Sequence, residues 1–189
     1  MGDRNSLQDR GRSLEEEYFR RKNREAIEKM EQQTRQDQAL RDMGAQVGVD
    51  DPEMLRELQK LGFTADTVAL LPLVPVVEVA WADGDIAAAE RDAIVGLART
   101  RGIADGSAAA HQLAAWLADR PAPEVFSGAT RLIRALIDAP AGGQALSADD
   151  LVGYCESIAS ASGGLFGLRK ISAEERAALE SIAARLKKS

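Results

Sequence analysis

Hydrophobic and polar positions divide this chain into two parts with different rules. From residue 14 to residue 43 apolar side chains are sparse: Leu14, Tyr18, Phe19, Ile27, Met30, Leu40 and Met43. They stand among fifteen charged residues. From residue 52 onward apolar residues recur at helical spacing in segments punctuated by Gly and Pro. No segment of useful length alternates with the period of two that marks a half-buried strand, so the pattern predicts an all-α protein.

The predicted elements follow from local signals. Residues 1–12 are polar and read as a disordered tail. Ser13 and Glu16 form an S-x-x-E capping box, which predicts a helix starting there. With Gly44 as the next breaker, that helix runs for about 30 residues, roughly 45 Å. Asp51–Pro52 starts another, ending at Gly62. Thr64 is a cap candidate for a short turn reaching Leu70, and a buried helix is predicted over 72–82, with Pro72 and Pro75 in its first turn. Further helices are predicted near 87–101, 107–119, 122–138, 148–162 and 173–187. The organisation expected is a tail (1–12), a charged interaction helix with linker (13–46) and a helical domain (50–187).

An internal repeat sits in that domain. "IAAAERDAIVGLA" (86–98) matches "ISAEERAALESIA" (171–183), and each copy follows an apolar helix. The unit is helix, turn, helix, used twice. Ile86, Ala93, Ile94, Leu97 and Ala98 define the face expected to be buried.

Composition narrows the function classes. The net charge of −6 argues against a general nucleic-acid binder. Residues 1–45 carry ten acids and ten bases, so the acidity belongs to the domain. One cysteine, Cys155, permits no intramolecular disulfide and points to a reducing compartment. No apolar leader precedes the first helix, and "VALLPLVPVVEVAWA" is too short and too broken to insert in a membrane. A cytoplasmic protein is expected.

Chemistry-bearing constellations are few. In "WADGDIAAAE", Asp83, Gly84, Ile86 and Glu90 match the fifth, sixth, eighth and twelfth positions of a calcium-binding EF-hand loop. The front positions are Val79 and Trp81, which offer no side-chain oxygen. Two readings follow: a divalent-cation site using Asp83, Asp85 and Glu90, or a tight turn with Gly84 left-handed and the two aspartates favouring the next helix N-terminus. His111, the only histidine, lies on a short amphipathic helix as a surface or half-buried residue. Cys155 reads as a core residue. "GGLFGLRK" (163–170) lacks phosphate-loop spacing and presents Leu165 and Phe166 at a loop tip. No catalytic constellation is present, and no cofactor is expected beyond a possible divalent cation.

The segment "AWADGDIAAAER" between two apolar helices resembles the TerB-like (tellurite-resistance) family of helical domains. The matching residues are Ala80, Ala82, Asp83, Gly84, Ile86 and Glu90, with Ile171 and Glu175 in the second copy. The resemblance covers residues 52–187 and implies a compact bundle of duplicated helix pairs, associated in that family with metal or stress responses.

"EEEYFRRKNREAIEKM" resembles the inhibitory segment of the mitochondrial ATPase inhibitor protein. Glu15, Glu16, Tyr18, Phe19, Arg20, Arg24, Glu25 and Ile27 carry the match. In that family the helix enters a catalytic interface of the F-type ATP synthase head and blocks ATP hydrolysis. Glu17 stands where the family commonly has Arg, and no histidine-rich coiled coil follows. The resemblance implies a non-enzymatic regulatory protein that binds a protein partner through Glu16, Tyr18, Phe19, Arg20, Arg24, Glu25 and Ile27, with a domain that anchors it or forms a homodimer. The alternatives are a helix that docks on some other partner, a cation-responsive stress module, and a first helix that simply packs on its own domain or on a second copy. Five pairs in that helix place an acid four residues before a base: Glu16–Arg20, Glu17–Arg21, Glu25–Lys29, Glu31–Arg35 and Asp37–Arg41. At about 0.2–0.5 kcal/mol each, they support a helix without tertiary packing.

Overall fold

The segment "VALLPLVPVVEVA" dictates the interior. Its apolar residues cover every side of a helix, and an element of that kind is stable only with neighbours all round. The computed structural model describes residues 3–138, 147–161 and 171–187, with side chains from residue 15 onward except Glu16. Among the described residues there are eight α-helices and one 3-10 segment, and no strand. The protein is all-α.

The helices are α1 (Asp3–Val47), α2 (Pro52–Lys60), α3 (Val74–Ala80), α4 (Ala88–Thr100), α5 (Ala108–Ala118), α6 (Pro123–Asp138), α7 (Ala148–Ala161) and α8 (Ala173–Lys187). The 3-10 segment, Val68–Leu73, leads directly into α3. By contacts the chain divides into two units, Met1–Ala39 and Leu40–Ser189.

In the second unit α3 is the central element. Val74, Val76, Val77, Val79 and Ala80 are each at most 1% exposed. α7, α6, α8 and α4 pack around it. The duplicated unit is visible in this arrangement. α3 and α7, the first helices of the two copies, pack on each other, while α4 packs on α7 and α8 on α3. α4 thus leans mainly on the other copy's α7, while α8 packs on both α7 of its own copy and α3 of the other.

Several local features differ from the sequence expectation for identifiable reasons. α1 begins at Asp3, so residues 3–12 are helical and Ser13 lies inside the helix rather than capping it. An interior Gly such as Gly11 costs only about 1 kcal/mol, and extending an already nucleated helix past it adds a backbone hydrogen bond per residue. At the other end the helix passes through Gly44 and stops at Val47, where Gly48 takes φ +72°. Its last turns belong to the second unit, with Met43 fully buried. Pro72 sits inside the 3-10 segment, whereas Pro75 stands in the first turn of α3, where its missing N–H has no partner to lose. Thr64 does not act as a side-chain cap. Thr67 Oγ1 instead accepts the Thr64 N–H at 2.9 Å.

Asp51 caps α2 as expected, its Oδ1 accepting the Glu53 N–H at 2.9 Å. Gly128 on α6 lets Leu61 sit so close that an added Cβ would stand 2.8 Å from its methyl carbons. The tip "GGLFGLRK", with Leu165 and Phe166, lies outside the described residues.

Gly44 gives the sharpest test of this packing. A Cβ there would stand 2.5 Å from the Val49 carbonyl oxygen and 3.1 Å from Leu55 Cδ1. Gly→Ala inside a helix ordinarily stabilises by up to about 1 kcal/mol. Here Gly44→Ala is expected to destabilise by about 1–3 kcal/mol in urea unfolding with an unchanged m-value. A stabilised variant would show that the chain does not turn back at Val49.

Candidate functional site

Two places concentrate the chemistry: the exposed face of α1 and the turn between α3 and α4. On α1 every described side chain of residues 15–39 is exposed. The four large exposed hydrophobics found among the described residues all lie there: Tyr18 (50%), Phe19 (61%), Ile27 (55%) and Met30 (69%). Tyr18 and Phe19 leave the helix about 100° apart. Their rings nevertheless meet edge to face, with centroids 5.9 Å apart at 74°, and form one aromatic ridge. Arg21 and Lys22 lie over the Tyr18 ring at 5.8 and 5.9 Å.

The ion pairs on α1 are partly rearranged from expectation. Glu31–Arg35 forms, at 3.8 Å. Glu25 takes Arg21 at 3.9 Å and Lys22 at 3.5 Å rather than Lys29. All these side chains are more than half exposed, so each pair contributes only a few tenths of a kcal/mol. Of the residues that the resemblance assigns to partner binding, Tyr18, Phe19, Arg20, Arg24, Glu25 and Ile27 are exposed on this one helix. The Glu16 side chain is outside the described set.

At the α3–α4 turn Gly84 has φ +98°, the left-handed conformation expected of a tight turn. Asp83 Oδ1 accepts the Asp85 N–H at 3.3 Å. Glu90 does not join these two aspartates in a cation cradle. Among the described residues no group of three or more His, Cys, Asp or Glu is placed to hold a metal ion. The reason is directional. Glu90 is only 3% exposed and turns inward, where its Oε2 accepts the Ala87 N–H at 2.8 Å as an N-terminal clamp on α4.

The second copy repeats this clamp. Glu175, also 3% exposed, accepts the Ser172 N–H at 2.6 Å, while Ser172 Oγ accepts the Glu175 N–H at 3.0 Å. That is a complete capping box. The Glu175 carboxyl comes within hydrogen-bonding reach of Glu90. Equivalent residues of the two copies thus meet. Burial is the main cause that pushes the Glu90 carboxyl up to about 7. The Ala87 N–H opposes the rise, and Glu175 and then Asp83 add to it.

Glu175 was visible to sequence reasoning as a repeat counterpart, but its meeting with Glu90 was missed. The signal was available: Glu90 stands four residues from both Ile86 and Ile94, on the buried register, and the glutamate recurs in the second copy.

Other candidates are structural. Trp81 Nε1–H donates to the Trp116 carbonyl at 2.8 Å, and Trp116 meets Phe63 edge to face at 5.8 Å. Cys155 is fully buried and its thiol is pushed up to about 12, chiefly by burial, with Glu78 next. It is protonated and inert in the folded protein. His111 is exposed. Among the described residues no helix is long and apolar enough to cross a membrane.

Comparison with known proteins returns no matching family model, no matching curated protein and no matching solved structure.

The inward turn of Glu90 has a direct consequence. Titrating the full chain with millimolar calcium is expected to leave its melting temperature unchanged and to release no binding heat. A calcium-dependent rise that disappears in Asp83→Asn would restore the cation site.

Proposed function

We propose that this chain is a regulatory binding protein whose first helix docks on a partner protein, with reversible inhibition of ATP hydrolysis by the F-type ATP synthase as its most concrete form. One observation carries the reading: the large exposed hydrophobics among the described residues gather within a single stretch of α1, Tyr18 to Met30. Exposed apolar side chains clustered on a charged helix favour helix-in-groove recognition. The aromatic ridge of Tyr18 and Phe19 supplies a rigid anchor, and Arg20, Arg24 and Glu25 supply polar contacts around it. Aromatic residues and arginine are the types that dominate binding energy at interfaces. The likeness of residues 15–27 to the ATPase inhibitor segment names the partner. In this reading the TerB-like second unit serves as the anchor or dimerising body.

The test uses the full chain and purified F-type ATP synthase. Micromolar protein is expected to slow ATP hydrolysis. The Tyr18→Ala/Phe19→Ala double variant should raise the half-inhibitory concentration by at least about thirtyfold, the equivalent of losing an interface hot spot of about 2 kcal/mol. No slowing by the unaltered chain at micromolar concentration rejects the ATP synthase as partner.

A further inference from the structure

The meeting of Glu90 and Glu175 is a product of the internal repeat. Both are the third residue of a duplicated helix, both clamp the N–H three residues back, and both are 97% buried at the junction of α4 and α8. In most proteins a capping-box glutamate points along the surface. Here the second copy's Glu175 comes within hydrogen-bonding reach of the first copy's Glu90.

Hydrogen bonding at the pair is incomplete unless a proton is present. Glu90 Oε2 is occupied by the Ala87 N–H, but its buried Oε1 has no hydrogen-bond donor. Glu175 Oε2 is occupied by the Ser172 N–H. Two ionised carboxylates offer only acceptors to each other, whereas a carboxylic acid donates. A buried, unsatisfied charge beside a like charge is among the costlier arrangements in a protein interior.

We propose that Glu90 and Glu175 hold one proton between them, carried on Glu90 Oε1, and that this proton is a pH-sensitive fastening between the two copies of the repeat. When it leaves to water, the pair goes from one negative charge to two and its only mutual hydrogen bond is lost.

Of the other charged and titratable groups on the neighbouring elements, Asp83 acts on Glu90 directly, adding a further negative charge from the α3–α4 turn. From α3, Glu78 is engaged by Arg185 of α8 at 2.7 Å. From α7, Cys155 remains a neutral thiol, and Tyr154 lies under Arg101 of α4 at 4.8 Å. Among the described residues no basic side chain forms an ion pair with Glu90.

The sign follows from linkage. The folded-state value of Glu90, about 7, lies above its ordinary value of 4.5. Between these values the unfolded chain has released the proton and the folded chain keeps it. Stability conferred by the pair is therefore full below the ordinary value, falls as pH rises through this window and levels off above it. The fold's hold on α4 and α8 weakens on the alkaline side of neutrality.

The experiment compares the full chain with Glu90→Gln. Gln keeps an acceptor for the Ala87 N–H and donates permanently to Glu175, so it imitates the protonated state. From about pH 5.5 to about pH 8 this site should raise the wild-type unfolding equilibrium constant by roughly thirtyfold, and the variant should lack that component. Glu90→Gln should consequently match wild type only below about pH 4, and its advantage in the unfolding constant should grow from roughly tenfold at about pH 5.5 to roughly three-hundredfold at about pH 8. Parallel pH profiles, or a variant less stable at about pH 8, would overturn the proposal. An infrared titration of the unaltered chain reads the proton directly and does not depend on the variant folding. A protonated-carboxyl band persisting at about pH 6 supports the shared proton, and its absence rejects it.

Discussion

The burial of α3 is the constraint on which the rest of the second unit depends. Val74, Val76, Val77 and Val79 are at most 1% exposed, so neighbours must surround this short helix everywhere but at Glu78, which stays partly exposed. α7 and α8 supply them from one copy of the repeat, α4 from the other, and α6 closes the remaining side. The one charged residue of α3, Glu78, survives because Arg185 of α8 reaches it at 2.7 Å. That ion pair joins α8 to α3.

α1 obeys a different balance. From residue 15 to residue 39 its described side chains bury nothing, and its ion pairs are weak because both partners stay in water. Length compensates, since nucleation is needed only once while each added residue contributes a backbone hydrogen bond. A helix of 45 residues spreads that single cost widely. What local energetics do not account for is the gathering of Tyr18, Phe19, Ile27 and Met30 on so polar an element. Burying such side chains would be worth about 1.5–3 kcal/mol each.

Much of the fold was legible because its signals are local. Asp51–Pro52, Gly84, the Ser172–Glu175 capping box and the apolar run of 68–80 each announce a boundary or a buried element, and helices α2 to α8 fall within a few residues of expectation. Helix ends governed by propagation were not legible: Ser13 and Gly44 look like terminators, yet α1 runs through both. The inward turn of Glu90, away from Asp83 and Asp85, was not legible for a related reason. Sequence spacing shows which oxygens are near one another along the chain, but Glu90 faces its counterpart Glu175, 85 positions away by the repeat offset, and only three-dimensional packing brings that pair together. The face of α1 was readable as exposed, since no apolar stripe exists for a body to cover.

The second unit is held together around α3, whereas the described side chains of residues 15–39 on α1 are all exposed. Native-state hydrogen exchange of the isolated full chain measures both at once. Amides of α3 and α7 should exchange only through global unfolding, whereas those of residues 15–38 should exchange orders of magnitude faster by local fraying. Protection of residues 15–38 equal to that of α3 in the isolated chain would contradict the account, because that helix would then be held by its own protein.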